Sequence, residues 1–235
     1  MNNKNDSNFM VILSAAKNLG LEILRLRLRM TLVLGALSVC VLISSGCVNL
    51  KKKFPDIKTY DLDIERTEKE SPASTAVIVQ LNPFSAATEL NRRFFVYRTG
   101  DNHYEEDFYN QTFTPPADMV TENVNSWLSA SPHVRYVLDE ALGEDTVFMI
   151  DGKILELYGD YRDEKSPKAQ VALQLTVREV AGKKTSTRFQ KTYSQTVSME
   201  RISAAGLVEG WKAALEQVLT EFEHDFESVV NAQTK

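Results

Sequence analysis

Between Ala204 and Val230 runs an unbroken apolar stripe: Leu207, Val208, Trp211, Leu215, Val218, Leu219, Phe222, Phe226 and Val229. The spacing of three and four residues puts these side chains along one side of a single long helix. Such a side cannot face water, so the helix must lie on a sheet or on a partner helix. The chain just before it supplies a surface. "AQVALQLTVREV" (169–180) alternates, with Val171, Leu173, Leu175 and Val177 facing one way and Gln170, Gln174 and Arg178 the other. "AGKK" (181–184) is a turn, and "TSTRFQKTYSQTVSM" (185–199) returns with Phe189, Tyr193 and Val197 at even spacing. This is a long antiparallel hairpin with one wet face.

Earlier segments add strands and a second helix. Ile57–Ile64 alternates through Tyr60 and Leu62 and reads as a strand; residues 65–74 are polar and form a loop; Ala76–Leu81 is β-branched and reads as a buried strand. One helical turn is expected near Ser85–Leu90. Phe94–Thr99 and His103–Tyr109, joined by Gly100-Asp101-Asn102, form an aromatic hairpin. Thr114-Pro115-Pro116 starts a helix, Thr114 as cap and Pro in the first turn. Ala117, Val120, Val124, Trp127 and Leu128 share one side of it, and Pro132 ends it. Residues 133–139 and 146–161 are further strands, the second long, or bulged around Asp151-Gly152. The fold class is therefore α+β: a mostly antiparallel or mixed sheet with two principal helices packed on one face.

The N-terminus follows a different logic. Met30–Ile43 is uncharged and apolar over 14 residues, and Arg25, Arg27 and Arg29 precede it. A membrane-spanning helix needs about 20 apolar residues, whereas this length with a basic flank suits the hydrophobic region of a signal peptide. It ends in Ser44-Ser45-Gly46-Cys47. Small residues before a Cys let a peptidase approach the backbone and leave the thiol as an attachment point for diacylglycerol. Ser45-Gly46-Cys47 resembles a bacterial lipobox, with Ser44 where Leu is usual, and Cys47 is the expected lipidation site. An uncleaved signal anchor is the alternative. The basic region is 29 residues long, which leaves Met10 or another downstream site as the true start. The expected organisation is a signal peptide over 1–46, a lipidated tether over 47–56 and one periplasmic domain over 57–232.

Cleavage before Cys47 leaves 189 residues and takes five of the 27 Lys and Arg and two of the 32 Asp and Glu, so the formal charge moves from −5 to −8. That balance disfavours a nucleic-acid partner, since phosphates call for basic patches. Cys40 lies in the signal and Cys47 carries lipid, so no disulfide is available and the core must hold the domain together. Val48, where Asp would retain a lipoprotein in the inner membrane, points to the outer membrane, periplasmic side. Lys51–Lys53 could touch anionic head groups, although a solvated tether explains them as well.

Catalytic signatures are absent from the mature sequence: there is no cysteine nucleophile, GxSxG, HExxH or Gly-rich phosphate loop. Glu221, His224 and Asp225 have metal-ligand spacing on the last helix, but a solvated polar side explains them. No catalytic residue, metal or cofactor is expected. Four residues stand out as structural or interface candidates: Tyr97, Arg98, Trp127 and Trp211. Alternation puts Arg98 on the same face as Phe94 and Val96, an apolar one, where it would need a carboxylate partner. Trp127 and Trp211 suit core packing.

"TYDLDI" (59–64), the block "RRFFVYRTGDNHYEEDFYNQTFTPPADMVTENVNSWLSAS" (92–131) and "VEGWKAALEQVLTEFEHDF" (208–226) together resemble the ABC-type transport auxiliary lipoproteins, the PqiC-like group. The resemblance implies a periplasmic domain like the N-terminal domain of TolB, anchored at the outer membrane. It also implies partners: a protein of the mammalian-cell-entry (MCE) type and an inner-membrane ABC permease with its ATPase, which move lipids or other hydrophobic molecules between membranes. The chain would be a non-catalytic adaptor or cap, alone or as a homo-oligomer. A lipid-binding carrier lipoprotein and an envelope-assembly lipoprotein are the alternatives.

Overall fold

The computed structural model describes residues 25, 27, 29–32, 35, 56–64, 66, 73, 75–139 and 146–233. The chain divides into two units, Met1–Phe54 and Pro55–Lys235. In the first unit the described residues are helical, and Thr31 Oγ1 donates to the Arg27 carbonyl at 3.1 Å. No helix among the described residues is long and apolar enough to cross a membrane. Cys47, the lipobox and most of the tether lie outside the described residues.

The second unit holds β1 (Lys58–Tyr60), β2 (Val77–Leu81), β3 (Ser85–Ala86), β4 (Phe94–Gly100), β5 (His103–Thr112), α1 (Pro116–Ser129), β6 (Val134–Leu138), β7 (Thr146–Asp160), β8 (Lys168–Ala181), β9 (Lys184–Ser198) and α2 (Ala204–Gln233). The strands form one mixed, nine-stranded sheet organised by β7. Along one edge β7 pairs antiparallel with β8 over its whole length, and β8 pairs with β9. Along the other edge its residues 148–150 pair parallel with β2, Lys153 and Ile154 with β3, and Gly159 and Asp160 with β4. From β2 the sheet continues to β6; from β4 it continues to β5 and β1.

Both helices cover one face, as the apolar periodicity requires. Val171, Leu173, Leu175 and Val177 are buried beneath α2, whose Leu207, Trp211, Leu215, Val218, Phe222 and Phe226 are also buried. Aromatic edges knit the layer: Trp211 on Phe95 at 4.9 Å, Phe226 on Phe148 at 5.6 Å and Phe222 on Tyr193 at 5.9 Å. Gly210 lets α2 come close to β8, since a Cβ there would stand 2.5 Å from the Ala169 Cβ. Gly182, at φ 58°, makes the β8–β9 turn.

Local expectations are corrected in two places and refined in two. The strand over Ile57–Ile64 is only three residues long. Beyond Tyr60, Asp61 Oδ1 accepts from the Leu62 N–H at 2.9 Å, and Asn123 of α1 takes over, accepting from the Ile64 N–H at 2.8 Å and donating to the Leu62 carbonyl. The chain thus leaves the sheet to plug Leu62 and Ile64 into the core. Thr114 does not cap α1; Asn91 Oδ1 accepts from the Ala117 N–H at 3.1 Å instead. The single turn expected near Ser85–Leu90 is present but starts later: Ser85 and Ala86 pair with β7, and the Ala87 carbonyl then accepts from the Leu90 and Asn91 N–H groups. β7 is a long strand of 15 residues, one of the two forms expected, and its register shift lies between Ile154 and Glu156 instead of at Asp151-Gly152.

Candidate functional site

With both helices on one face, no helix among the described residues of this unit covers the other face of the sheet, and that face is divided by polarity. Its β8–β9 side is a polar lattice. Gln170 donates to Glu156 at 2.9 Å and to Ser194 Oγ at 3.0 Å, Arg178 Nε donates to Asp151 at 2.9 Å, and Asn82 donates to the same carboxylate at 2.8 Å.

The β4–β5 side is apolar. In β4, Phe95 enters the core, so its neighbour Val96 faces outward. The β7 bulge turns Leu155 out to 36% exposure. The turn after β3 brings Leu90 alongside, and Tyr104 of β5 sets its ring edge-on to Tyr158 at 5.7 Å. These residues line a groove of about 480 Å³. Three carboxylates border it: Glu106 is paired with Arg92 at 2.8 Å, Glu156 is held by Gln170, and Glu89 is exposed. An open apolar floor with a polar border can bind a partner's apolar side chains while the border sets register.

Of the residues singled out in the sequence, only Arg98 adjoins this groove, and among the described residues no carboxylate stands within ion-pair distance of it. Its Nε donates to the Gly100 carbonyl at 3.3 Å, its Nη2 to the Asp101 carbonyl at 2.7 Å, and its guanidinium carbon sits 5.7 Å from the Tyr104 ring centre. The face it shares with Phe94 and Val96 is apolar but neither helix covers it, so two carbonyls serve the guanidinium, with the Tyr158 hydroxyl beside it and the Asp160 carboxylate acting from longer range.

Tyr97 points the other way. Its hydroxyl donates to Asp107 Oδ2 at 2.7 Å and its ring stacks on Tyr161 at 4.8 Å. Burial, then the Asp107 carboxylate, push the Tyr97 hydroxyl well above its ordinary value. Burial likewise lifts Tyr161 to about 12. Burial alone would raise Asp107, but donation from Tyr97, Asn110 and the Tyr109 N–H prevails and holds it low.

Trp127 and Trp211 are core residues. The Trp211 N–H donates to the Tyr158 carbonyl at 3.3 Å. Trp127 belongs to a cluster that the sequence reading missed. Its N–H donates to Glu223 Oε2 at 3.1 Å; Ser131 Oγ donates to Glu223 Oε1; Arg66 donates to the same oxygen at 2.9 Å and lies 5.0 Å above the indole. Glu223 thus joins α2, the end of α1 and the segment after β1. Next to it, Asp225 accepts from Tyr193 at 2.7 Å and Lys191 at 2.6 Å, while Glu221 accepts from Gln195. Among the described residues no group of three His, Cys, Asp or Glu could hold a metal ion.

The family model described as "ABC-type transport auxiliary lipoprotein component" matches residues 60–222. No protein of curated function matches the chain by sequence. Among solved structures, protein XCC0632 of Xanthomonas campestris, of the DUF330 family, is similar at 16% identity and a TM-score of 0.61, over 75% of this chain and 98% of that one. An uncharacterized protein is similar at 13% identity and a TM-score of 0.54, over 74% and 99%. The hypothetical protein CT253 of Chlamydia trachomatis follows at 15% identity and a TM-score of 0.46, over 67% and 99%. The first two likenesses show that the α+β fold is shared.

Proposed function

Because this chain belongs to the family of ABC-type transport auxiliary lipoprotein components, we propose that it is a non-catalytic adaptor held by acyl chains on Cys47 at the periplasmic side of the outer membrane. It receives or caps an MCE-type protein whose inner-membrane permease and ATPase move lipids or other hydrophobic molecules between membranes. The observation that carries this reading is the apolar groove of about 480 Å³ on the face that neither helix covers. A partner of that kind needs a preformed apolar surface on a rigid frame, and the β4–β5–β7 corner provides one.

The carrier alternative calls for a cavity between the long helix and the sheet. That layer is filled instead: Leu207, Leu215, Val218, Leu219, Phe222 and Phe226 are all fully buried. The groove is open and suits several partner side chains better than an enclosed lipid.

Affinity capture of the full lipoprotein from solubilised membranes tests the proposal. The native chain is expected to retain an MCE-domain protein, and Leu155→Glu, which charges the groove floor at an exposed position, to lose it. Equal capture by both chains, or a partner set without an MCE-domain protein, overturns the reading.

A further inference from the structure

Exposed apolar side chains in the domain are concentrated. Among its described residues, eight large ones are exposed: Tyr104 and Leu155 belong to the groove, Tyr136 and Ile202 lie elsewhere, and Ile57, Phe108, Tyr109 and Phe113 gather at the β1–β5 edge. Their exposures are 56%, 59%, 54% and 66%. Single exposed hydrophobes are ordinary, whereas a cluster calls for a partner.

The backbone builds this edge. In the β4–β5 ladder Phe94 pairs with Gln111 and Phe95 with Asp107, so residues 108–110 are extruded as a bulge. Phe108 leans its ring on Phe94 at 5.1 Å, the Tyr109 N–H is fixed by Asp107 at 2.9 Å, and the Phe113 N–H donates to the Tyr60 carbonyl at 2.8 Å. Ile57 precedes Lys58, which pairs with Asn110. The four side chains are thus mounted on a pinned frame.

We infer that this aromatic edge seats the domain on the lipid surface, an inference that rests on acylation at Cys47. The chain length decides the occupant. Nine residues lie between Cys47 and Ile57, ten Cα steps and a reach of at most about 35 Å. A compact domain of this size is roughly 40 Å across, and half-way round its surface is roughly 60 Å. An acyl anchor on that leash holds the β1 edge, and no opposite surface, against the bilayer. Tyrosine settles at the membrane–water interface, and phenylalanine and isoleucine insert as the apolar side of interfacial elements. Asp56, Asp61 and Asp63 flank the edge beside Lys58, so its apolar side chains are what seat it, and the depth of the edge does not depend on salt even where Lys51–Lys53 draw the tether to anionic lipid.

The mature lipoprotein has no free thiol once Cys47 is acylated, so one introduced cysteine carries one nitroxide. Phe108→Cys, Tyr109→Cys and Phe113→Cys are compared with Tyr136→Cys and Ile202→Cys on vesicles of phosphatidylethanolamine with a minor share of phosphatidylglycerol. Oxygen and nickel-chelate accessibilities are expected to place the first three labels in lipid and the last two in water, unchanged by added salt. Labels at 108, 109 and 113 as aqueous as that at 136 overturn the inference. So does spin–spin broadening among them without lipid, which assigns the edge to a second copy, or protection only after a membrane protein is added.

Intact mass reports the anchor separately. A chain without acyl mass sinks the Cys47 premise and is tested by co-sedimentation at millimolar lipid. Phe108→Ser with Phe113→Ser is expected to weaken its partition about tenfold, as loss of two interfacial rings would. Equal binding, or none by either chain, overturns the edge.

Discussion

Glu223→Ala is the substitution whose outcome the structure fixes most sharply. The carboxylate is 9% exposed and holds Trp127 Nε1 at 3.1 Å, Ser131 Oγ, and Arg66 at 2.9 Å. Alanine leaves two buried donors unpaired, at roughly 1–3 kcal/mol each. Arg66 adds less, since it can turn toward water, and loss of a desolvated charge returns part of the cost. The net expectation is a loss of about 3 kcal/mol in urea unfolding, or a fall in Tm of roughly 6–12 °C. Trp127→Phe removes one donor and keeps a ring, so a double-mutant cycle isolates that bond, with an expected coupling of about 1–2 kcal/mol. A loss below about 0.5 kcal/mol, or single changes that add within about 0.3 kcal/mol, would refute the view that this carboxylate ties the two helices together.

Other perturbations read other parts of the frame. Gly210→Val drives a Cβ into the Ala169 Cβ and is expected to cost about 1–3 kcal/mol by calorimetry, with no loss meaning that α2 can shift freely. Asp107, Asp160 and Asp225 are held below the ordinary carboxylate range: burial acts against this for Asp107 and Asp225, but their donors prevail, and the Arg162 guanidinium leads for Asp160. Depressed folded values mean stability that is complete above the unfolded carboxylate value and is lost as pH falls through the folded ones. Denaturant midpoints should therefore fall below about pH 4, and less steeply in Asp225→Asn; parallel curves would contradict this. The Tyr161 hydroxyl is buried without a hydrogen-bond partner among the described residues, so Tyr161→Phe should be neutral or stabilise by up to about 1 kcal/mol.

Periodic features were legible in the sequence. The β8–β9 alternation and the α2 stripe each specify an apolar side by repetition, and both appear as read. What repetition does not report is whether an apolar side is covered. Val96 and Arg98 share an outward-facing side that the alternation described correctly, yet its coverage depends on where α1 and α2 land. Glu223 was hidden for a related reason: in sequence it belongs to the acidic border of α2, and its burial depends on Trp127, 96 residues away. The α1 cap escaped because Asn91 reaches Ala117 across 26 residues, while Thr114 stands next to the helix with its hydroxyl unused for the purpose. The groove floor needed the Leu155 bulge, which has no glycine or proline to mark it.

The most direct test of the adaptor reading is site-specific photocrosslinking in intact cells, with the probe at Leu155 in the groove and, separately, at Gln190 on β9. The account predicts a crosslink to an MCE-domain protein from 155 and none from 190. Crosslinks of equal yield from both positions, or a probe at 155 that captures no transport component, would contradict it.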